Sequence, residues 1–451
     1  MQDEPILKKR TITILQTARQ LLCGETFNAS HRRRPEDFTR QCKLTFVIVM
    51  LLILQKSLKS LQLRLHEFMA DWAQAGDEKL GVTGGALTHA RAKLLPSAFI
   101  ELNQKAVLSN FYGPQYQELV KRWRGHRLLA MDGSLVRLPS SQVLLKEFGE
   151  IAIVNQHGKH DCYPQGRISV LYDLLNHLAL EGQLAGSAQG ETELARLHLA
   201  LVQTNDLVLT DRGYAGYRWF VDSLQRGQFI CRCSCGSFPV VQQLVQEDQA
   251  GVSLTVKLQA PIEQSTELKR LGLPLELIVR FVTLRLGTGE LEVLATSLLD
   301  EQAYPTECFG EVYWCRWGIE TFYGRIKGRL DLENFSGQTV CAAHQDFQAT
   351  LFLSNLESVV SAPAQTRLAQ PSTTQRKNPL QVNRAVSLHA LKYHVIELLA
   401  SAVPLDEVLR QLEQWLVHNP VSVRKDRKML RRKPSPLRSY NFQRRIRKIV
   451  F

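Results

Sequence analysis

YWCRWGIETFYGRIKGRL, residues 313–330, has the residue spacing of a helix and carries an unusual polar stripe. At about 100° per residue, Arg316, Glu320 and Lys327 fall in one narrow sector on the side of Tyr313. The stripe combines one carboxylate, two cations and one hydroxyl. This mixture packs poorly and suits the binding of a phosphodiester beside a metal ion, although Arg316 and Glu320 also fit an ordinary i,i+4 pair on a solvated helix.

Two aspartates upstream of this segment stand where a predicted strand reaches a turn. Asp132 lies in RLLAMDGSLVRL, residues 127–138, where the Gly-Ser pair predicts a hairpin. Asp211 ends the apolar strand predicted over 206–210 and precedes Arg212 and a helix. Because aspartate next to glycine is a common turn former, neither residue alone indicates catalysis.

Taken together, these segments resemble the insertion-sequence-four family of DDE transposases. Tyr313, Arg316, Glu320 and Lys327 match the Y-x2-R-x3-E-x6-K signature of that family. Residues 131–134 and 210–214 resemble its two aspartate motifs, and the similarity covers roughly residues 30–360.

The resemblance implies an α/β fold with a ribonuclease-H-like catalytic core. Asp132 would lie on its first strand, Asp211 just after the fourth and Glu320 on a later helix. The implied function is that of a DNA transposase, which cleaves the ends of an insertion sequence and then joins the freed 3′ hydroxyl to target DNA. The implied partner is double-stranded DNA, bound by a homodimer on paired ends.

The resemblance also assigns roles to individual residues. Asp132, Asp211 and Glu320 would be catalytic and bind Mg²⁺, with Mn²⁺ as a substitute, because hard cations prefer carboxylate oxygens. Two such ions about 3.5–4 Å apart stabilise the attacking and the leaving oxygens. The candidate DNA contacts are Tyr313, Arg316, Lys327, Arg212 and Arg232.

The patterning predicts five segments. These are a helical N-terminal DNA-binding unit (1–120), the first part of the core (121–227), a β-rich insertion (228–298), the catalytic helix region (299–362), and a C-terminal helical segment with a basic tail (379–451), with a loop over 362–378.

The charge balance favours a polyanionic partner. The formal net charge is +13, and clustered Lys and Arg gain affinity by displacing counterions from phosphates. Residues 424–448 contain twelve Lys or Arg and one acidic residue, and a helix predicted after 82–88 carries His89, Arg91 and Lys93. Either set fits contact with the DNA backbone or a solvated charged face.

The sequence gives no sign of membrane insertion. Its longest apolar run, 45–54, is far shorter than the roughly 20 residues of a bilayer span and predicts a buried helix. The N-terminus MQDEPILKKR lacks an apolar segment followed by a cleavage site. We therefore expect a cytoplasmic, nucleoid-associated bacterial protein.

Cysteine and tryptophan positions allow two interpretations each. Cys231, Cys233 and Cys235 alternate, which favours reduced cysteines on a strand over a zinc site. The tryptophans 219, 314 and 317 suit core packing better than stacking on a base.

Two other functions fit parts of the pattern. One is a catalytically decayed DNA-binding protein, against which the three intact acidic residues argue. The other is a structure-selective nuclease on a ribonuclease-H-like core, since a fold does not fix its substrate. The stripe of Tyr, Arg and Lys argues against this nuclease.

Overall fold

The structure is a computed structural model that describes residues 3–40, 42–55, 60–73, 81–154, 160–370 and 378–423. It has a mixed α/β fold, in which one sheet combines parallel and antiparallel strand pairs. The chain forms two compact units. Unit 1 comprises Met1–Val120, Val136–Gly166 and Arg325–Phe451, and unit 2 comprises Lys121–Leu135 and Arg167–Gly324.

The α-helices of the described residues are α1 (Asp3–Cys23), α2 (Glu25–His31), α3 (Phe46–Leu54), α4 (Leu61–Ala73), α5 (Gly84–Arg91), α6 (Ser97–Glu101), α7 (Ser109–Phe111), α8 (Gln142–Phe148), α9 (Glu191–His198), α10 (Tyr217–Leu224), α11 (Pro239–Glu247), α12 (Ile262–Arg270), α13 (Cys308–Trp314), α14 (Trp317–Gly328), α15 (Val340–Ala369), α16 (Arg384–Tyr393), α17 (Val395–Leu399) and α18 (Leu405–His418). A π-helical segment lies at Leu102–Leu108, and 3-10 segments lie at Pro114–Leu119, Leu199–Leu201 and Arg212–Tyr214.

The strands of the same residues are β1 (Arg127–Arg137), β2 (Glu150–Val154), β3 (His160–Asp173), β4 (Leu178–Gly186), β5 (Asp206–Thr210), β6 (Gln228–Cys233), β7 (Ser253–Gln259), β8 (Glu276–Arg285), β9 (Leu291–Thr296), β10 (Leu380–Gln381) and β11 (Val421–Ser422).

The sheet of unit 2 has the strand order β3-β1-β5-β6-β9-β8-β7, and β4 pairs with β3. The pairs β1–β5 and β5–β6 are parallel, whereas β6, β9, β8 and β7 form antiparallel pairs. Every residue of β5 is buried, as expected for a central strand covered on both faces. The segment 228–298 contains the helices α11 and α12 besides its strands.

The hairpin predicted at Gly133 is wrong, because β1 continues without a turn from Arg127 to Arg137. Gly133 is instead a point of close approach. A Cβ atom there would lie 2.8 Å from the side-chain Cδ of Glu191, closer than real Cβ contacts come. The glycine therefore makes room for a neighbouring carboxylate and does not bend the chain.

Unit 1 is largely helical, with α15 packed against α1, α3, α6 and α18. The apolar run of α3 is buried at all positions except Val47, which confirms the buried helix predicted there. Its first turn is capped by the Thr45 side chain, which accepts a hydrogen bond from the backbone N–H of Ile48.

The loop predicted from residue 362 is wrong over its first part, since α15 runs on to Ala369 with Pro363 inside it. Proline cannot donate the hydrogen bond that the carbonyl four residues earlier normally accepts. That carbonyl belongs to Val359, and the hydroxyl oxygen of Thr11 on α1 lies 3.3 Å from it. The single proton of this hydroxyl is shared with the carbonyl of Leu7 at 3.0 Å, so the contact from α1 replaces the lost bond only in part.

The C-terminal segment predicted as helical over 383–418 consists of the three helices α16, α17 and α18. Pro404 immediately precedes α18, and the residue before a proline is disfavoured in helical conformation. The basic stretch 424–451 lies outside the described residues, so its predicted DNA contact stays a prediction.

Arg91 does not lie on a solvated or DNA-facing surface, contrary to both interpretations of the α5 region. It is buried in unit 1 and forms a 2.8 Å ion pair with Asp346, which is buried as well. Its guanidinium also donates to the side chains of Gln345 and Ser336 and to the carbonyl of Ala342. Arg91 thus fixes α5 to the beginning of α15.

The nine cysteines are all free thiols. Cys231 and Cys233 are buried on β6, which confirms the predicted strand position for these two. The prediction is wrong for Cys235, which is exposed beyond the end of the strand. Among the described residues, no helix is long and apolar enough to span a membrane.

Candidate active site

The two aspartates stand at neighbouring strand ends in unit 2. The register of the parallel pair β1–β5 aligns Ala130 with Leu209. Continued by two residues, it places Asp132 level with Asp211, on strands that are about 4.8 Å apart in a sheet. Asp211 directly follows β5, and its Oδ1 accepts a 2.7 Å hydrogen bond from the backbone N–H of Arg212.

Asp132 has a second acidic side chain beside it, that of Glu191 at the start of α9. The pKa of Asp132 is raised to about 7, first by burial and then by a hydrogen bond to Glu191 and repulsion from its charge. The backbone N–H of Gly133 and the positive charge of Arg316 act in the opposite direction. Burial and the neighbouring Glu191 carboxyl thus both disfavour the charged form of Asp132. Glu191 itself forms a 3.6 Å ion pair with the Nη1 of Arg167.

Glu191 also joins the two aspartate segments to each other. Its Oε1 accepts a 2.7 Å hydrogen bond from the backbone N–H of Gly133, next to Asp132. The same oxygen accepts a 3.3 Å hydrogen bond from the hydroxyl of Tyr214, three residues after Asp211. The sequence pattern does not single out this glutamate, because an acidic residue in the first turn of a helix is common.

The helix predicted over residues 313–330 is interrupted, so its polar residues do not form one continuous stripe on a single helix. Tyr313 lies in α13, Arg316 lies in the turn between the helices, and Glu320 lies in α14. The backbone N–H groups of Arg316 and Ile319 donate to carbonyls three residues earlier, which tightens the chain here relative to an α-helix. The 3.0 Å contact between the side chains of Arg316 and Glu320 persists across the break.

Two buried tyrosines fasten this interrupted segment to the aspartate strands. The Tyr313 hydroxyl donates a 3.2 Å hydrogen bond to the carbonyl of Thr210, the residue before Asp211. The Tyr323 hydroxyl donates a 2.6 Å hydrogen bond to the carbonyl of Asp132 itself. Burial raises the pKa of both hydroxyls, so they remain protonated donors.

Arg316 is the cation shared by the acidic residues of this site. Its side chain is only 4% exposed. Burial alone would lower the pKa of its guanidinium, but the neighbouring Tyr313, Glu320 and Asp211 raise it. Because the charge of Arg316 also acts on Asp132, all three predicted carboxylates lie within its electrostatic reach.

The other predicted DNA-contacting arginines of unit 2 surround Asp211. Arg212 is exposed immediately after it. Thr210 pairs with Cys231 on β6, and Arg232 is the next residue of that strand. The Nε of Arg232 forms a 3.1 Å ion pair with the buried Glu292 on β9. Burial raises the pKa of Glu292, against the opposing influence of Arg232.

Lys327 lies on α14 but belongs to unit 1, whereas Glu320 belongs to unit 2. Burial lowers the pKa of the Lys327 ammonium, and the nearby Glu333 opposes this change.

The tryptophans divide between core and surface. Trp219 is 3% exposed, which confirms its predicted core position, whereas Trp314 is 72% exposed. The core interpretation is therefore wrong for Trp314 and also for Trp317, which is 39% exposed. The ring centroid of Trp314 lies 6.3 Å from that of the partly exposed Trp317, so two aromatic side chains face solvent beside Arg316.

The chemistry of the donor set fits a divalent cation. Carboxylate oxygens are preferred by Mg²⁺ and Mn²⁺, and a cation beside Asp132 would offset the repulsion between its carboxyl group and that of Glu191. Among the described residues, however, no group of three or more His, Cys, Asp or Glu is already arranged to hold a metal ion. Glu320 is paired with Arg316 instead.

Residues 123–356, just over half of the chain, match the family model described as a transposase DDE domain. The chain belongs to this family of DDE transposases. The matched range of the DDE domain contains Asp132, Asp211 and Glu320 as well as the elements that bring them together. Use of divalent metal ions is general in this family.

Two relatives from Escherichia coli (strain K12) are similar to parts of the chain. The transposase InsG for insertion sequence element IS4 is 28% identical over 211 residues, or 46% of this chain and 45% of InsG. The putative transposase InsZ is 31% identical over 90 residues, or 20% of this chain and 29% of InsZ. The matched region thus spans less than half the length of either relative.

A solved structure also aligns with the chain. It is the cryo-EM structure of a piggyBac transposase synaptic complex with hairpin DNA, at a TM-score of 0.40 and 11% identity. The alignment covers 96% of this chain and 88% of that one.

Proposed function

We propose that the chain is a DNA transposase that cleaves the ends of an insertion sequence and transfers them to target DNA. Membership of the DDE family supports this function. The observation that carries it is that Asp132 and Asp211 stand at neighbouring strand ends while Arg316, which forms a 3.0 Å ion pair with Glu320, acts electrostatically on both. Acidic residues beside a buried cation form a suitable resting state for a site that binds metal ions and phosphates.

Asp132, Asp211 and Glu320 are the proposed catalytic ligands of divalent ions, with Mg²⁺ as the proposed metal and Mn²⁺ as a substitute. Bound ions of this kind supply Lewis-acid stabilisation of the attacking and leaving oxygens. Glu320 has to leave the guanidinium of Arg316 in order to contribute its carboxylate. Arg316 is then available to a DNA phosphate, for which its planar fork is well suited.

The surrounding residues have proposed roles that follow from their contacts. Tyr313 holds the end of β5 through Thr210 and lies beside the phosphate that Arg316 would contact. Arg212, Arg232 and Lys327 are the further proposed DNA contacts. Glu191 is a proposed positioning residue, because it holds Gly133 and Tyr214 in their places beside the two aspartates.

We extend the proposal to the architecture. The parallel strands β1, β5 and β6, together with the helices α9 and α10 that alternate with them, support a ribonuclease-H-like core. The proposed organisation remains the N-terminal DNA-binding unit 1–120, core segments 121–227 and 299–362, the insertion 228–298 and the C-terminal part 379–451. The proposed assembly is a homodimer on paired DNA ends, acting at the nucleoid.

Strand joining separates this function from a nuclease on the same core. Purified protein is incubated with Mg²⁺, a supercoiled plasmid and a duplex bearing the termini that flank its gene. A transposase inserts the duplex into the plasmid, whereas a structure-selective nuclease leaves broken ends without joined products. Specific binding with neither product, across Mg²⁺ and Mn²⁺, contradicts the proposal and indicates a decayed DNA-binding protein.

A further inference from the structure

Unit 1 contains a cavity that the proposed chemistry does not use. It lies where α3, α4, α5 and the beginning of α15 meet, and its volume is about 80 Å³. One water molecule requires roughly 10–15 Å³ on such a measure, so the space holds several waters or one small polyatomic ion. Its lining includes Arg64, Thr88, Arg91, Thr339 and Ala342.

Arg64 brings an incompletely satisfied cation to this cavity. Its side chain is 4% exposed, and its Nη2 donates a 2.6 Å hydrogen bond to the carbonyl of Leu52. Its Nε is buried and has no hydrogen-bond partner within the described part of the chain. Burial lowers the pKa of the guanidinium to about 10, which still leaves it charged near neutral pH. A buried charged donor without an acceptor is costly, and an anion relieves that cost.

The acidic residue nearest to this pair of arginines does not balance both charges. Asp346 acts electrostatically on Arg64 but forms its 2.8 Å ion pair with Arg91. Its carboxylate also accepts hydrogen bonds from the hydroxyl and the backbone N–H of Ser336. The guanidinium groups of Arg64 and Arg91 therefore share a single carboxylate, that of Asp346, which is already bonded to Arg91 and Ser336. This leaves an excess of positive charge beside the cavity.

The N-terminus of α15 adds a third favourable feature. This helix is 30 residues long, Thr339 is its N-cap, and its first turn contains no acidic residue. The Thr339 side chain already accepts a hydrogen bond from the N–H of Ala342, so this helix end favours an anion chiefly through its dipole. Ala92 and Thr88 line the same cavity and are exposed, so the cavity is open to solvent beside them.

We infer that this cavity is a binding site for a phosphate-type oxyanion, held by Arg64, Arg91 and the N-terminus of α15. A tetrahedral oxyanion has enough acceptor oxygens for the Nε of Arg64 and the remaining donors around it. Such an anion is either inorganic phosphate or a phosphate group of DNA. The DNA source rests on the proposed transposase function, whereas the anion site itself does not depend on it.

Calorimetric titration of the full chain with inorganic phosphate, without divalent metal and at constant ionic strength, tests the site. We expect saturable binding of phosphate that Arg64→Gln weakens about tenfold or more, as for loss of a hydrogen bond to a charged group. Arg40→Gln, which removes an exposed arginine of the same unit, is the control and should bind like wild type.

A second pair of variants keeps Arg64 intact, in case its substitution prevents folding. Ala92→Glu places a negative charge at the entrance and should weaken phosphate binding about tenfold. Ala92→Gln introduces a side chain of nearly the same size as glutamate but without its charge. Its affinity for phosphate should stay within about twofold of wild type. Absence of saturable phosphate binding by folded wild-type protein overturns the inference, as does equal binding by the Glu and Gln variants.

Competition distinguishes the two sources of the anion. If the site holds a phosphate of DNA, a duplex with the terminal sequences displaces phosphate from wild type, and Ala92→Glu binds that duplex more weakly than Ala92→Gln. If it holds free phosphate, both ligands bind together, which supports the site with inorganic phosphate as its occupant. Since neither readout involves cleavage, failure of this site and failure of the proposed catalysis are distinguishable.

Discussion

The hydroxyl of Tyr323 donates a 2.6 Å hydrogen bond to the backbone carbonyl of Asp132, and Tyr323 lies three residues after Glu320 on α14. Residues at this spacing occupy the same side of a helix. The bond therefore fixes the part of α14 that carries Glu320 relative to the strand that carries Asp132. The bond joins a side chain of α14 to the backbone of β1, and no carboxylate group takes part in it.

Removing this hydroxyl should misplace Glu320 without removing any charged group. We expect Tyr323→Phe to lower the cleavage rate about tenfold, because small displacements of catalytic groups have large effects on rate. Its stability should fall by about 1 kcal/mol, the usual net value of a hydrogen bond. Tyr393→Phe, at an exposed tyrosine, is the matched control for both measurements. Cleavage by Tyr323→Phe at the wild-type rate is incompatible with this positioning role.

Glu320 should be required for cleavage but not for DNA binding. Glu320→Gln keeps the size of the side chain and removes its negative charge, so cleavage should fall to background while binding of the DNA ends is retained. Glu311→Gln, on the exposed part of α13, is the control and should cleave normally. Gel-shift and nicking assays on the same duplex give the two readouts. Normal cutting by Glu320→Gln sinks the assignment of this glutamate.

The space at Gly133 should be needed for the contact with Glu191. A Cβ at Gly133 meets the Glu191 carboxyl at 2.8 Å, whereas a Cβ at Gly213 has no neighbour within 4 Å. We therefore expect Gly133→Ala to displace Glu191 and lower cleavage about tenfold. Gly213→Ala should remain within about twofold of wild type. Equal rates for the two alanine variants would show that the close approach at Gly133 has no functional consequence.

Protonation of Asp132 should make the metal-free protein more stable in mild acid. Its pKa is about 7 in the folded state, raised by burial and by Glu191, against about 3.9 in an unfolded chain. Between these values the folded state holds a proton that the unfolded state has released. The free energy of unfolding should therefore decrease as pH rises from about 4 to about 7, by at most about 1.4 kcal/mol per pH unit from this group.

Urea denaturation in the presence of a chelator, from pH 4.5 to 8, measures this pH dependence. The asparagine of Asp132→Asn cannot ionise, so this variant should lack the contribution of Asp132 to the slope of unfolding free energy against pH. The difference in unfolding free energy between wild type and Asp132→Asn should therefore change with pH. A difference that stays constant over the whole range is inconsistent with a raised pKa of Asp132.

Local pattern was enough to predict the main elements that carry the site. The bounds predicted for β5 agree with the structure, because a short apolar run between polar turns has few alternatives. The predicted turn at Gly133 was wrong because this position has to leave space for the carboxylate of Glu191, which lies 58 positions away in the sequence. Similarly, α15 continues through Pro363, and the carbonyl of Val359 that loses its partner there lies beside the hydroxyl of Thr11 on α1, a contact that local pattern does not reveal.

The candidate site was predictable in its acidic residues but not in what holds them. The spacing of Arg316 and Glu320 indicated their ion pair, which survives a break in the helix that the spacing did not reveal. Glu191 and Tyr323 were missed, since their partners are distant in sequence and include the backbone groups of Gly133 and Asp132. Because nearly every residue type offers the same backbone N–H and carbonyl, a contact to the backbone does not require a particular partner residue in the sequence.

The most direct test of the account is cleavage of a labelled duplex carrying the DNA termini that flank the gene, by purified protein with Mg²⁺. Wild type and Asp211→Asn are compared at equal concentration, with binding measured in parallel. We predict metal-dependent cleavage at the terminal phosphodiester by wild type alone, with binding retained by the variant. Equal cleavage by both proteins, or binding without cleavage in Mg²⁺ and Mn²⁺ across several salt concentrations, would contradict it.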